Sequence, residues 1–266
     1  MPTPRRWTRD ELLVLLNIYE KLPFGQFDQA QPVVRDIAAR LDRSAGSVAM
    51  KLCNLASLDP AVKARGRKGL PGASSLDRQV WAEFQSNRNT LAPQSEDAFR
   101  LLFGASDADE VDLIKGIGVR VRKAPVAPDG PTEAYAQVSV RRGQQFFRQM
   151  VLNSFDSQCC VTGIRVRELL VASHILPWKP FPNERLNPQN GLSLSRLHDG
   201  AFDRGLITFD EDYRLVLSKE LRGHFPQASL QHNFADFEGK PIILQSKIAA
   251  PKQEFLAYHR ENIFWG

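Results

Sequence analysis

The chain has 266 residues, 42% apolar and 24% charged, the composition of an ordinary globular protein with room for one large domain or two small ones. No apolar run approaches the roughly 18 residues of a membrane span. The opening MPTPRRWTRDELL lacks the apolar core of a signal peptide, so the expectation is a cytoplasmic protein with no membrane partner. A net charge of +5 is compatible with a polyanionic partner. Most of the excess lies early: residues 1–123 carry 19 Lys/Arg against 15 Asp/Glu, and the remainder 16 against 15.

Thr8 and Glu11 form a capping-box signature ahead of Leu12, Leu13, Leu16 and Tyr19 at helical spacing, predicting a helix over 8–22 that Pro23 and Gly25 end. A second helix is expected from Pro32 through VVRDIAARL. A third follows the turn DRS, capped by Ser44. IAARLDRSAGSVAMKL resembles the DNA-binding helix-turn-helix families, and WTRDEL is similar to the opening of Myb-like domains. The resemblance implies a third helix in the major groove, with Ser44, Ser47, Lys51 and Asn54 on one exposed reading face. The alternative is a plain three-helix packing unit. Arg65, Arg67 and Lys68, among the glycines of KARGRKGLPGAS, could follow DNA phosphates or form a solvated loop.

Helices are expected at 75–86 and 95–103, then an acidic patch, DADEVD, and a proline-rich linker. The expected organisation is a helical reader domain over 1–123, a linker over 124–140 and a second domain over 141–266. The second domain opens with a helix, RRGQQFFRQMVLNSF, followed by QCCVTG as a short strand and ELLVASHIL as a longer one. NGLSLS then leads into a short helix capped by Ser195 and closed by Gly205. LITFDEDYRLVLS alternates like a hairpin, and KQEFLAYHREN reads as a closing helix. Cys53, Cys159 and Cys160 have no zinc-knuckle spacing, so reduced thiols and no structural zinc are expected.

Strand ending in His174, loop with Asn190, helix with His198: in that order, with CVTG, ASHILPW, NGLSLS, HDGAFDRGLITF and YHRENIF, the stretch 141–266 resembles HNH endonucleases of the ββα-metal class. The implied fold class is α+β, a helix-turn-helix-like N-terminal domain followed by a ββα-metal HNH nuclease domain. The resemblance implies a metal-dependent DNA endonuclease, similar to restriction enzymes that include some requiring modified DNA. His174, at a strand end, fits the general base, because a neutral imidazole can take a proton from water near neutral pH. His198 fits a ligand to one divalent cation, Mg²⁺, and Asn190 either steadies the loop or approaches the metal.

Ser173 stands where many such sites have an Asp or His ligand. Asp203 is taken as the supplementary ligand, with Asp199, one turn earlier, as an alternative structural cap. His259 suits packing or phosphate contact equally, and Arg185 and Arg204 suit phosphate contact or a solvated role. The expected partner is double-stranded DNA, and cutting both strands implies a homodimer or two successive nicks. A non-catalytic DNA-binding regulator on a degenerate nuclease fold and a low-specificity nuclease toxin are the alternatives. The small Ala45, Val48 and Met50 beside the reading face raise the further expectation of dependence on DNA modification.

Overall fold

Thr8 accepts a hydrogen bond from the Glu11 amide, and Glu11 accepts one from the Thr8 amide, so α1 (Arg9–Lys21) begins at the predicted capping box. Pro32 occupies the first turn of α2 (Pro32–Arg40), and Ser44 caps α3 (Ala45–Ala56). After the short α4 (Pro60–Ala64), a second capping box between Ser74 and Asp77 starts α5 (Ser75–Ser86). The sixth helix, α6 (Arg88–Leu102), is longer than expected and carries Pro93 in its first half. These elements belong to a computed structural model that describes residues 5–123, 134–244 and 250–266.

The acidic patch is the start of a hairpin. Strands β1 (Glu110–Ile114) and β2 (Gly118–Arg122) pair antiparallel across a turn that places Gly116 and Gly118 at positive φ. The amides of Gly116 and Val119 donate to Gln31 and Asp36, which joins the hairpin to α2. Asp112 is buried rather than solvated, accepting from Gln149 and Arg122.

Chain contacts divide the protein into two units, Met1–Gln149 and Met150–Gly266. The division falls within α7 (Ala134–Ser154), whereas the sequence reading opens its second domain at 141. Side-chain pairing accounts for this: Arg142 binds Asp97 and Asp107, Phe146 meets Phe84, and Gln149 bonds the backbone of Val111 and Leu113. Most of the expected linker, residues 124–133, lies outside the described residues, and 134–140 are helical.

In the second unit, QCCVTG forms turns instead of a strand, with both cysteines buried and reduced. Strand β3 (Leu170–His174) pairs antiparallel with β4 (Gly191–Ser195), bringing His174 opposite Gly191. Ser195 ends β4 and caps α8 (Arg196–Asp203), which packs against both strands. The predicted hairpin follows as β5 (Ile207–Phe209) and β6 (Leu215–Leu217), then α9 (Lys219–Arg222), α10 (Ala228–Asn233) and α11 (Gln253–Asn262). α11 packs on β5. No helix among the described residues is long and apolar enough to cross a membrane.

The core of the first unit holds an ion pair with no solvent exposure. The Lys21 ammonium donates to Glu96 and lies 4.6 Å from the centre of the Phe99 ring, while Asn17 also donates to Glu96. Removing one member leaves the other charge buried. Glu96→Ala should therefore destabilise the protein by about 3–5 kcal/mol, whereas the apolar double replacement Lys21→Met, Glu96→Leu should recover most of the loss. Urea denaturation of both variants is the measurement; an equal loss in both would refute the charge argument.

Candidate active site

The loop from β3 to β4 is closed by one amide. Asn190, 1% exposed, accepts from the Leu176 amide at 2.8 Å and donates to the Glu184 carbonyl at 3.1 Å. Its own backbone carbonyl accepts from the Ile175 amide. This pulls both limbs of the loop together directly after the strand end. Arg185 Nε donates to the Trp178 carbonyl, and the guanidinium lies over the Trp178 ring. The edge-on packing of Trp178 against His174 completes the frame.

His174 Nε2 lies 3.0 Å from the Arg185 carbonyl. A carbonyl can only accept, so Nε2 carries the hydrogen, and in the neutral ring the lone pair falls on Nδ1. Burial holds the His174 pKa below the ordinary imidazole value, opposed by the Arg185 hydrogen bond and by the negative charge of Asp199. His174, Asp199, Asp203 and Ser173 line one cavity of about 480 Å³. Asp199 and Asp203, one helical turn apart, both reach it from α8. Partial burial and the neighbouring Asp199 charge raise the Asp203 pKa, with Arg204 acting in the opposite direction.

His198 does not join them. It is fully buried, with Nε2 donating to the Asn233 carbonyl at 2.8 Å and Nδ1 accepting from the Ser195 hydroxyl at 2.8 Å. The same hydroxyl oxygen faces the His198 amide. Both ring nitrogens are engaged within the fold, whereas the sequence reading expects His198 to be a metal ligand. Asp199, one residue later on the helix, faces the cavity instead. His259 is also internal: Nε2 donates to the Phe202 carbonyl, Nδ1 accepts from Thr208, and the ring stacks on Phe202 at 3.7 Å. Burial pushes its pKa down to about 4.

Among the described residues, no three His, Cys, Asp or Glu side chains are grouped closely enough to hold a metal ion by themselves. The Asp199–Asp203 pair nevertheless fits a magnesium-like cation, which needs only one or two carboxylates and takes its remaining ligands from water and substrate phosphate. Burial first and the Asp199 charge second raise the Asp203 pKa, and such an ion would offset the repulsion between the two carboxylates.

Two of the four residues expected on an exposed reading face of α3 are buried. Lys51 is buried and ion-paired with Asp77, and Asn54 is buried with its amide donating to the Leu70 and Pro71 carbonyls. Ser44 is used as the helix cap, accepting from the Ser47 amide. Of the neighbouring apolar residues Val48 is wholly buried and Met50 exposed. A Cβ on Gly69 would lie 2.2 Å from the Ser57 amide, so that glycine permits the 65–73 segment to close on the end of α3. Arg65, Arg67 and Lys68 are exposed on this segment, with Arg67 5.2 Å from the Phe24 ring.

Residues 159–210 match the family profile of the HNH endonucleases. The match covers β3, the Asn190 loop, β4 and α8, and it indicates a nuclease domain; nucleases of this family generally use a divalent metal. No curated protein matches the chain.

Two buried imidazoles, His198 and His259, and the half-buried His174 give the fold an acid limit. A histidine with a depressed folded-state pKa binds its proton more readily when unfolded, so its contribution to stability is full above pH about 6.5 and lost as the pH falls. For His259 the loss should run from about 6.5 down to about 4 and amount to at most about 3 kcal/mol. His259→Gln should flatten that part of the curve of denaturant-measured stability against pH; an unchanged slope would assign the acid limit to other groups.

Proposed function

We propose that the protein is a metal-dependent DNA endonuclease of restriction type, in which His174 is the general base. The observation that carries this reading is the placement of His174: its Nε2 lies 3.0 Å from the Arg185 carbonyl, which favours the neutral tautomer with its lone pair on Nδ1, in one cavity with Asp199 and Asp203. His174 takes a proton from water at Nδ1 as the water oxygen forms its bond to phosphorus. The P–O3′ bond breaks, its electron pair leaves on the 3′ oxygen, and solvent protonates that oxygen, giving 5′-phosphate and 3′-hydroxyl ends. Asn190 and Trp178 position His174 and take no part in proton transfer. Asp199 and Asp203 would hold the divalent cation, which when bound neutralises charge on the phosphate and the departing oxygen.

The exposed Arg65, Arg67 and Lys68 support an affinity role for the first unit, as contacts to the DNA backbone. Selection among DNA targets is assigned to the same unit, without the α3 face. Both strands of a duplex would be cut by two protomers or two successive nicks.

His174→Ala should slow plasmid nicking by at least ~100-fold with DNA binding retained. The acid limb of the wild-type pH–rate profile should lie below about 6.5, because His174 is held below the ordinary imidazole pKa. Full activity in folded, contaminant-free His174→Ala would overturn the mechanism. Asp199→Asn and Asp203→Asn should shift the magnesium titration of nicking to higher concentrations. His198→Ala should lower the melting temperature and leave that titration unchanged in the folded protein.

Replacing Arg65, Arg67 and Lys68 together with Gln should reduce the log–log salt slope of DNA binding by about 0.9 per lost phosphate contact. A slope equal to wild type in filter binding would make this turn a solvated surface.

A further inference from the structure

A second cleft, of about 530 Å³, opens beside the catalytic cavity and shares Asp203 and Ile263 with it. Its size falls in the range of small-ligand sites, about 300–1,000 Å³. Leu206, Leu221 and Ile263 give it an apolar lining, and Trp265 stands at its edge. Trp265 is 58% exposed, yet its backbone is fixed: its amide donates to the Gly205 carbonyl at 3.0 Å, and the preceding amide of Phe264 donates to the His259 carbonyl. A large aromatic face held open by a pinned backbone, next to a cavity that acts on phosphate, is an arrangement suited to stacking a base.

We propose that this cleft receives a nucleobase of the strand being cut, stacked on Trp265, with the adjoining phosphate on Arg204. The proposal deepens the nuclease reading and rests on it. Charge sets the orientation within the cleft. Arg204, exposed beside Asp203 at the side shared with the catalytic cavity, offers a planar guanidinium to phosphate. Glu220 would repel a phosphate; it lies 3.5 Å from His224 in the same cleft, and that end is left to the uncharged base. A base inside a duplex is already stacked on its neighbours, so the cleft takes one that has left the helix or belongs to a single strand. The strand would cross Asp203, placing one phosphate in the catalytic cavity and the neighbouring nucleotide in this one.

The test uses the full-length protein in EDTA, so that binding is read without cleavage, and a short single-stranded DNA oligonucleotide as the probe. Trp265→Ala should weaken binding about tenfold, within the range for loss of one base–aromatic stack, and Trp265→Phe should restore most of it. A series of oligonucleotides with one abasic position moved along the strand should contain one that binds wild type about tenfold more weakly. The same oligonucleotide should cost Trp265→Ala nothing further. Equal affinity of wild type and Trp265→Ala, or an abasic penalty undiminished in Trp265→Ala, would overturn the subsite. If Trp265→Ala fails to fold, the series read on Trp265→Phe decides: a retained abasic penalty supports stacking, and none refutes it. Nicking by the magnesium-loaded protein keeps the two ideas apart. Trp265-dependent binding without nicking would sink the nuclease reading alone, and nicking without Trp265-dependent binding would sink the subsite alone.

Discussion

A single buried carboxamide holds the loop of the candidate active site in shape. The strand ending in His174 and the strand beginning at Gly191 are joined by a long excursion, and Asn190 binds its first limb through Leu176 and its second through Glu184. An amide is suited to the task because it donates and accepts at once and carries no charge that burial would penalise. Aspartate would lose the donor, and leucine would lose both bonds. With the loop closed, the Arg185 carbonyl comes to His174 Nε2, and a main-chain atom selects the tautomer of the proposed base. The chemistry assigned to Nδ1 thus depends on a residue that need not touch substrate.

Burial divides the three internal histidines of the second unit by what their nitrogens meet. His198 and His259 each give Nε2–H to a main-chain carbonyl and take a hydroxyl proton at Nδ1, from Ser195 and Thr208 respectively. All three share the carbonyl partner; His174 lines the cavity with Asp199 and Asp203, and His259 reaches the same cavity with its Nδ1 held by the Thr208 hydroxyl.

Much of this arrangement was legible in the sequence, and the failures share a cause. Caps at Thr8, Ser44 and Ser195 mark helix starts because a side-chain oxygen must meet otherwise unsatisfied amides, and all three appear in the structure. The order of strand, loop and helix around His174 was equally readable, although Gly191–Ser195 was not read as the strand it forms. Spacing, however, tells which residues share a face and not which way the face turns. Lys51 and Asn54 do share one, but α3 also carries Val48, Ala49, Leu52, Leu55 and Ala56, all buried, so apolar residues cover most of its circumference. A helix with so little polar surface belongs to a core. His198 and Asp199 are separated by about 100° of helix, and packing chose between them. The local signal was Ser195: a residue three positions after a capping serine tends to fold back onto the cap. The β1–β2 hairpin is hidden in the sequence because its acidic residues suggest a solvated patch, whereas Asp112 is satisfied by Gln149 and Arg122 and EVDLIKGIGVRVR pairs as two strands.

Gly205 shows how far sensitivity to substitution can separate from chemistry. It sits at φ +68°, its carbonyl receives the Trp265 amide, and a Cβ there would lie 2.0 Å from the Ile263 carbonyl oxygen. Ile263 belongs to the wall of both clefts. Any larger residue must push that wall outward and also accept an unfavourable backbone conformation. In a library screened for loss of the proposed cutting, this position would score beside the proposed base while offering no functional group. Ranking residues by tolerance alone would nominate as catalytic the one atom-poor contact on which the geometry of both pockets closes.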